Sequence, residues 1–426
     1  MLWLAQPTLY WDEWDLADWW LRTRHAGLDF HALWQPHNEH RIVLHKLLFF
    51  VTAEWGLGPI PLMFLSFLLL GATFRLLVPL VLGACAGLPR GPRMLFLLAC
   101  SAFFFSWVQW QNLLMGIQVA WTSALFGLVM AVRGMVDPPS LSSSWQIAGG
   151  LILAYLSSAA WLVLIPLLLG YQAQRWWRRR TASGRRLDLL RLAGAGTVLA
   201  AMLGLYLWGL ERPPHHPSPL YALSHPVEAL GFLQLFWGNP FAANPAPWLP
   251  RVMGTVFGLS TFLLLELARK RRIWRTAPPL AALALASIAL AHGGTLLIAI
   301  GRVGLGPDAA VASRYSTFML VGWLALLCTG LRFFLESPGT EERPSERRRT
   351  IALAGLVILV PLGLGLLVSA GKLYRVATWQ MPKRAAARVC LDDVLADSSL
   401  LPSRRTCLQA LYPDPERLVH IARRLP

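Results

Sequence analysis

Between Tyr10 and Trp20 the chain sets four carboxylates, Asp12, Glu13, Asp15 and Asp18, among four tryptophans in eleven residues. Carboxylates at that density can take a proton from a hydroxyl or help hold a cation. Tryptophan favours headgroup depth, so an interfacial amphipathic helix accounts for the rings. It does not account for the acids, which an anionic leaflet repels. On a helix Trp11, Trp14 or Asp15, and Asp18 share one face, whereas Asp12 and Glu13 turn elsewhere.

A second cluster, His37-Asn38-Glu39-His40-Arg41, follows Gln35-Pro36, and five of the ten histidines fall between His25 and His45. With the Asp12 group these side chains could coordinate a divalent metal, although no HExxH spacing is present. A proton-transfer and phosphate-binding role suits them equally, and the plainer alternative is a helix start capped by Asn38. Gln111, Asn112 and Gln118 lie in an uncharged, Trp-containing turn. Amides both donate and accept, and indoles stack on sugar rings, so the turn suits a carbohydrate; an interfacial Trp turn with Gln118 buried is the alternative. Phe236-Trp237-Gly238-Asn239-Pro240-Phe241 is similar in composition but reads equally well as a turn. Arg302, within Gly301-Arg302-Val303-Gly304-Leu305-Gly306, and Arg314-Tyr315 flank a further loop that can reach a phosphate at a membrane face.

The elements that must position these residues follow from composition. The chain has 426 residues, 55% hydrophobic and 14% charged, with a mean hydropathy of +0.49, which excludes a water-soluble globular protein. Long Leu/Ala/Gly/Val runs exclude an outer-membrane barrel, so the fold class is all-α, a polytopic transmembrane helical protein. The net charge of +17 is assigned to loops facing anionic lipid and not to nucleic acid. Apolar stretches lie near 60–83, 94–108, 118–132, 147–172, 192–209, 252–268, 279–300, 315–331 and 351–370.

Arg-rich linkers mark the cytoplasmic side: Arg90 and Arg93, Arg133, the cluster from Arg175 through Arg178, Arg179, Arg180, Arg185 and Arg186 to Arg191, then Arg269 to Arg275, and Arg332 to Arg349. Keeping Arg133 and the next cluster on one side requires two short passes in 147–172, a broken or re-entrant pair interrupted at Ser157-Ser158-Ala159-Ala160. About ten spans result. The chain divides into an outer acidic and His-rich segment with interfacial helices (1–59), a transmembrane domain (60–371) and a small basic extracytoplasmic tail (372–426). Outside cations such as Arg41, Arg212, Arg302 and Arg314 call for anionic partners. Cys85, Cys100 and Cys328 read as buried apolar residues, while Cys390 and Cys407 can pair if the tail is outside the cell. Arg75 and His292 are the clearest ionisable residues within the spans, and no midplane carboxylate is evident, which weighs against a transporter.

Asp12-Glu13-Trp14-Asp15, His37 to Arg41, the Gln111-Asn112 to Gln118 turn and Ser313-Arg314-Tyr315 together resemble the GT-C superfamily of polyprenyl-phosphate-sugar-dependent glycosyltransferases. The resemblance covers roughly Tyr10 to Leu331, and its most typical motif is the short acidic one. It implies inverting transfer of a hexosyl or pentosyl group from a lipid-linked donor to a glycan, lipid or protein acceptor on the noncytoplasmic face of a bacterial-type inner membrane. It assigns the general base to Asp12 or Glu13, with Asp15 as substitute. By the same resemblance, Arg302, Arg314 and Arg41 hold the donor phosphate, and His37, Asn38, Glu39, His40, Gln111, Asn112, Gln118 and Tyr315 bind substrate. Such enzymes carry a span before the acidic loop, which Met1 to Leu9 is too short to supply, so either the start of the reading frame lies further upstream or the first helix is absent. The alternative function is a transporter or flippase for a lipid-linked or anionic solute; a noncatalytic scaffold is the third reading.

Overall fold

The computed structural model describes residues 4–178, 182–210, 217–242, 246–271, 278–336 and 344–425. Arg179, Arg180, Arg212, Arg272, Arg275 and Arg343, assigned above to loops, lie outside the described residues. The chain begins with three helices, α1 (Asp12–Ala26), α2 (Phe30–Trp34) and α3 (Val43–Glu54). The bundle follows as α4 (Ile60–Ala84), α5 (Arg90–Phe104), the short α6 (Trp110–Leu114), α7 (Val119–Val136), α8 (Leu141–Tyr155), α9 (Leu164–Arg178) and α10 (Ala182–Leu207). After α11 (Tyr221–Ser224) come α12 (Pro226–Trp237), α13 (Leu249–Arg271), α14 (Pro278–Arg302), α15 (Pro307–Ala310), α16 (Ser316–Glu336) and α17 (Pro344–Arg375). A π turn at Val376–Gln380 leads into α18 (Met381–Ala396), then α19 (Leu401–Leu408) and α20 (Pro415–Arg424). Among the described residues there is no strand, only an isolated bridge between His37 and His40.

Eight helical stretches among the described residues are long and apolar enough to cross a membrane. The protein is therefore a multi-pass membrane protein. The interruption expected in 147–172 is present: α8 stops at Tyr155, and Ser157 and Ser158 turn their hydroxyls onto the backbone. Ser157 Oγ donates to Leu153 O at 2.6 Å, and Ser158 Oγ accepts from Ala160 N at 3.3 Å. Such local side-chain bonds compete with a continuing helix. At fifteen residues each, α8 and α9 are only roughly 22 Å long.

Small residues set how closely the bundle packs. A Cβ added at Gly127 would lie 2.6 Å from Gly150 O, and one at Gly134 would lie 2.5 Å from Ser143 O, so α7 and α8 meet backbone to backbone. The α8 start is held by a capping box in which Ser140 and Ser143 exchange side-chain bonds of 3.0 and 2.8 Å.

A second buried cluster stands apart from the bundle core and joins the two ends of the chain. Trp14, Leu16, Trp19 and Trp20 of α1 pack with Leu391, Val394, Leu408, Leu418 and Ile421 of α18 to α20. The 1–59 and 372–426 segments therefore share one core instead of forming separate appendages. The α1 tryptophans beyond Trp11 serve this core and are not displayed to a headgroup layer. The disulfide Cys390–Cys407 links α18 to α19, and Trp11 N donates to Leu411 O at 2.7 Å.

Candidate functional site

The four acids of α1 point to different partners. Asp15 and Asp18 face α20: Arg417 reaches them at 2.9 and 3.5 Å, Arg424 lies 3.5 Å from Asp18, and Tyr412 Oη donates to Asp15 at 2.7 Å. Glu13 is sealed inside with no exposed surface, accepting from Tyr10 N at 2.8 Å and from Ile117 N at 3.1 Å. It ties the beginning of α1 to the turn that opens α7. Asp12 alone of the four lines an open hollow, with its side chain 44% exposed. The residue before it, Trp11, has φ 53°, a left-handed conformation that a bulky side chain rarely takes.

The hollow encloses about 380 Å³. Asp12, His37, Asn38, His40, Gln111, Gln118, Arg302, Arg314 and Tyr315 all line it. His37 Nε2 stands 3.9 Å from Asp12 Oδ2. Burial pulls the Asp12 carboxyl up, but His37 and the charges of Arg314 and Arg302 outweigh this and hold it below the ordinary 3.8. The Arg314 guanidinium lies 5.0 Å from the Tyr315 ring centroid and forms no salt bridge among the described residues.

The His37–His40 hairpin explains how two histidines reach one place. His37 and His40 exchange backbone bonds of 2.8 and 3.0 Å around Asn38. Asn38 has φ 52°, a left-handed conformation asparagine tolerates well. Asn38 is thus a turn residue and not a helix cap; α3 begins five residues later, with Ile42 as its N-cap.

Glu39 bridges two elements by accepting from Arg302 of α14 while lying 3.3 Å from His40 Nε2. His40 Nδ1 accepts from Ala159 N at 3.4 Å, which assigns the proton to Nε2. Burial drives the His40 pKa down to about 4, so the ring is neutral at pH 7. The broken tip between α8 and α9 therefore abuts the site. A narrow slot of about 80 Å³ beside it, lined by Ala159, Ala160, Gly294, Leu297 and Ile298, shares His40, Trp121, Arg302 and Tyr315 with the hollow.

Five residues assigned to the site by sequence do not line the hollow: Glu13 and Asp15, whose partners are given above, Glu39, which lines only the adjoining slot, and Arg41 and Asn112. Arg41 is buried away from it, its guanidinium donating to the carbonyls of Tyr206, Trp34 and Trp208. It anchors the hairpin to the end of α10 and is not placed to hold a phosphate. Asn112 is fully buried and donates to Arg314 O at 3.0 Å and to Thr317. It fastens α6 to the start of α16, as does Gln111 Oε1, which accepts from Arg314 N at 3.0 Å. Gln118 lines the hollow at 3% exposure, and its Oε1 has no hydrogen-bond partner among the described residues.

Sequence reasoning passed over Arg384 and underused Asn239. Asn239 donates to Ala310 O and Ala312 O at 2.8 and 3.1 Å, shaping the loop before Arg314. Its place in an Asn-Pro turn was the available signal. Arg384, in a basic tail, carried none. No group of three or more His, Cys, Asp and Glu among the described residues is arranged to hold a metal ion.

No family model, curated protein or solved structure matches this chain.

Burial pushes the Glu13 pKa up to about 7, more than the Arg384 charge and the N–H groups of Tyr10, Ile117 and Gly116 pull it down. The folded chain thus holds this proton more tightly than the unfolded one. The resulting stability is whole below the ordinary 4.5 and is lost as pH rises through about 7. Thermal unfolding in detergent should show the chain losing stability across this window, and Glu13→Gln should flatten that slope. An unchanged slope in Glu13→Gln would remove the assignment.

Proposed function

We propose that this chain is an integral-membrane, inverting glycosyltransferase that moves a sugar from a polyprenyl-phosphate donor to an acceptor hydroxyl, with Asp12 as general base. The reading is supported chiefly by one juxtaposition: a carboxylate from α1 and two arginines almost three hundred residues later line one hollow. An anomeric carbon on a lipid phosphate already has a good leaving group, so the protein must supply a base for the acceptor and cations for the departing phosphate. Asp12 takes the proton of the acceptor hydroxyl as the acceptor oxygen bonds to the anomeric carbon. The carbon–oxygen bond to phosphate breaks on the opposite side, and Arg314 with Arg302 stabilises the phosphate released. Gln118 Oε1 offers a buried acceptor for a sugar hydroxyl. Asp12 is preferred to Glu13 and Asp15 because Glu13 is sealed against Tyr10 and Ile117 and Asp15 is held by Arg417 and Tyr412. The arrangement fits the GT-C resemblance, and the acceptor class is left to assay.

The hollow is assigned to the noncytoplasmic face of the plasma (inner) membrane. Arg93 and Arg332, which donate to Ala86, Leu88 and Gly83, belong to the opposite end of the bundle, as does Arg133 at the far end of α7. That distribution follows the positive-inside rule. On the hollow's own side many arginines are paired, including Arg388 with Asp392, Arg404 with Asp393 and Arg405 with Glu416. The disulfide there agrees with an oxidising compartment. Counting α8 and α9 as short passes gives ten spans.

The test is transfer of radiolabelled sugar from a panel of polyprenyl-phosphate hexoses and pentoses in membranes containing the chain. Covalent transfer that depends on the chain is expected. Flipping or uptake of the donor without transfer would replace this reading with that of a lipid-linked solute transporter.

A further inference from the structure

We propose that Arg384, on α18 of the C-terminal segment, is a positioning residue that holds Asp12 over the hollow. The inference rests on the preceding reading for its kinetic consequence, but its geometry is independent of any reaction. Arg384 lies on α18, past the π turn that ends α17, and is almost completely buried, at 1% exposure. Its guanidinium makes three contacts with two separate chain segments. Nη1 donates to Leu114 O at 3.2 Å, Nη2 donates to Thr8 O at 3.4 Å, and the group lies 4.2 Å from the Tyr10 ring centroid.

These segments frame the hollow from two sides. Thr8 and Tyr10 lead directly into Trp11 and Asp12, whereas Leu114 ends α6, between Gln111 and Gln118. One guanidinium therefore sets the distance between the carboxylate and the amide wall. The same two segments are tied a second time by Glu13, which accepts from Tyr10 N and Ile117 N. Gln6 adds a bond from its Nε2 to Met381 O at 2.9 Å, again between the N-terminal segment and the C-terminal one. The left-handed backbone at Trp11 needs such surroundings, since an unsupported bulky residue would relax out of that conformation.

A planar fork is what the arrangement requires. Lysine would keep the charge but present a single ammonium, unable to reach both carbonyls while lying over the ring. Arg384→Lys thus separates charge from geometry.

The readout is the reactivity of a cysteine placed at the base position. In Asp12→Cys, the thiol sits near Arg302, Arg314 and His37, where a cationic surrounding favours the thiolate and speeds reaction with a methanethiosulfonate. The native thiols Cys85, Cys100 and Cys328 are buried and the remaining two cysteines are paired, so labelling reports this position. Adding Arg384→Lys should slow labelling about fivefold or more at pH 7, with unchanged elution of the detergent-solubilised chain. In the otherwise unmodified chain, Arg384→Lys should lower kcat about tenfold while leaving the donor KM within about twofold. Arg384→Met should behave likewise; if it aggregates, Arg384→Lys carries the test. Labelling and kcat both at their unmodified values would overturn the proposal. Slowed labelling in a chain that transfers no sugar would uphold the positioning role and sink the glycosyltransferase reading.

Discussion

Asp12→Asn should leave a folded chain that transfers sugar about a thousandfold more slowly, within the range attributed to a positioned general base. Stability should change little, because the Asp12 side chain is half-exposed and His37 Nε2 stands 3.9 Å from it. The loss should fall on kcat, since asparagine keeps the shape and loses only the proton acceptor. Asp15→Asn provides the internal contrast. It removes an ion pair with Arg417 and weakens the grip of α20, so it should lower thermal stability while retaining most of the transfer rate. Equal turnover in Asp12→Asn and the unmodified chain would eliminate Asp12 as base.

The arginines should separate in the same way. Arg314→Met should reduce transfer about a hundredfold or more by removing a cation from the departing phosphate. It breaks no salt bridge among the described residues, so stability should change less than turnover. Arg302→Met removes the partner of Glu39, a largely buried carboxylate, and should cost both stability and transfer. Combining it with Glu39→Gln should recover the stability and not the transfer, because the stranded charge is gone while the phosphate still lacks its cation. Should the double variant regain full donor use, Arg302 serves only to hold the hairpin against α14.

Much of the architecture was legible because hydropathy and arginine distribution obey strong physical constraints. A backbone in hydrocarbon must satisfy its own hydrogen bonds, so apolar runs of sufficient length become helices, and the break at Ser157-Ser158 followed from span length and charge side. Trp107 to Gln118 reads as a turn; it folds instead as short, largely buried helices in which Gln109 and Asn112 have no exposed surface. Short amide-rich segments carry no signal separating a surface turn from one folded back into protein. Likewise α12, between the apolar stretches near 192–209 and 252–268, packs Phe232, Leu235 and Phe236 into the core.

Residue types and local spacing were enough to specify a polytopic helical chain and its interrupted 147–172 segment; they offered acids, histidines and amides as candidates for proton transfer and left the pairing of Cys390 with Cys407 conditional on the side of the tail, a pairing the folded chain makes. Folding decided which of the four neighbouring acids is open, by turning Glu13 inward, giving Asp15 and Asp18 to α20 and leaving Asp12 facing Arg302 and Arg314. It also converted Arg41 into an anchor and brought Arg384 against the beginning of the chain. Helical periodicity states only which residues share a face. What that face meets depends on contacts between segments hundreds of residues apart, and local sequence does not encode those partners.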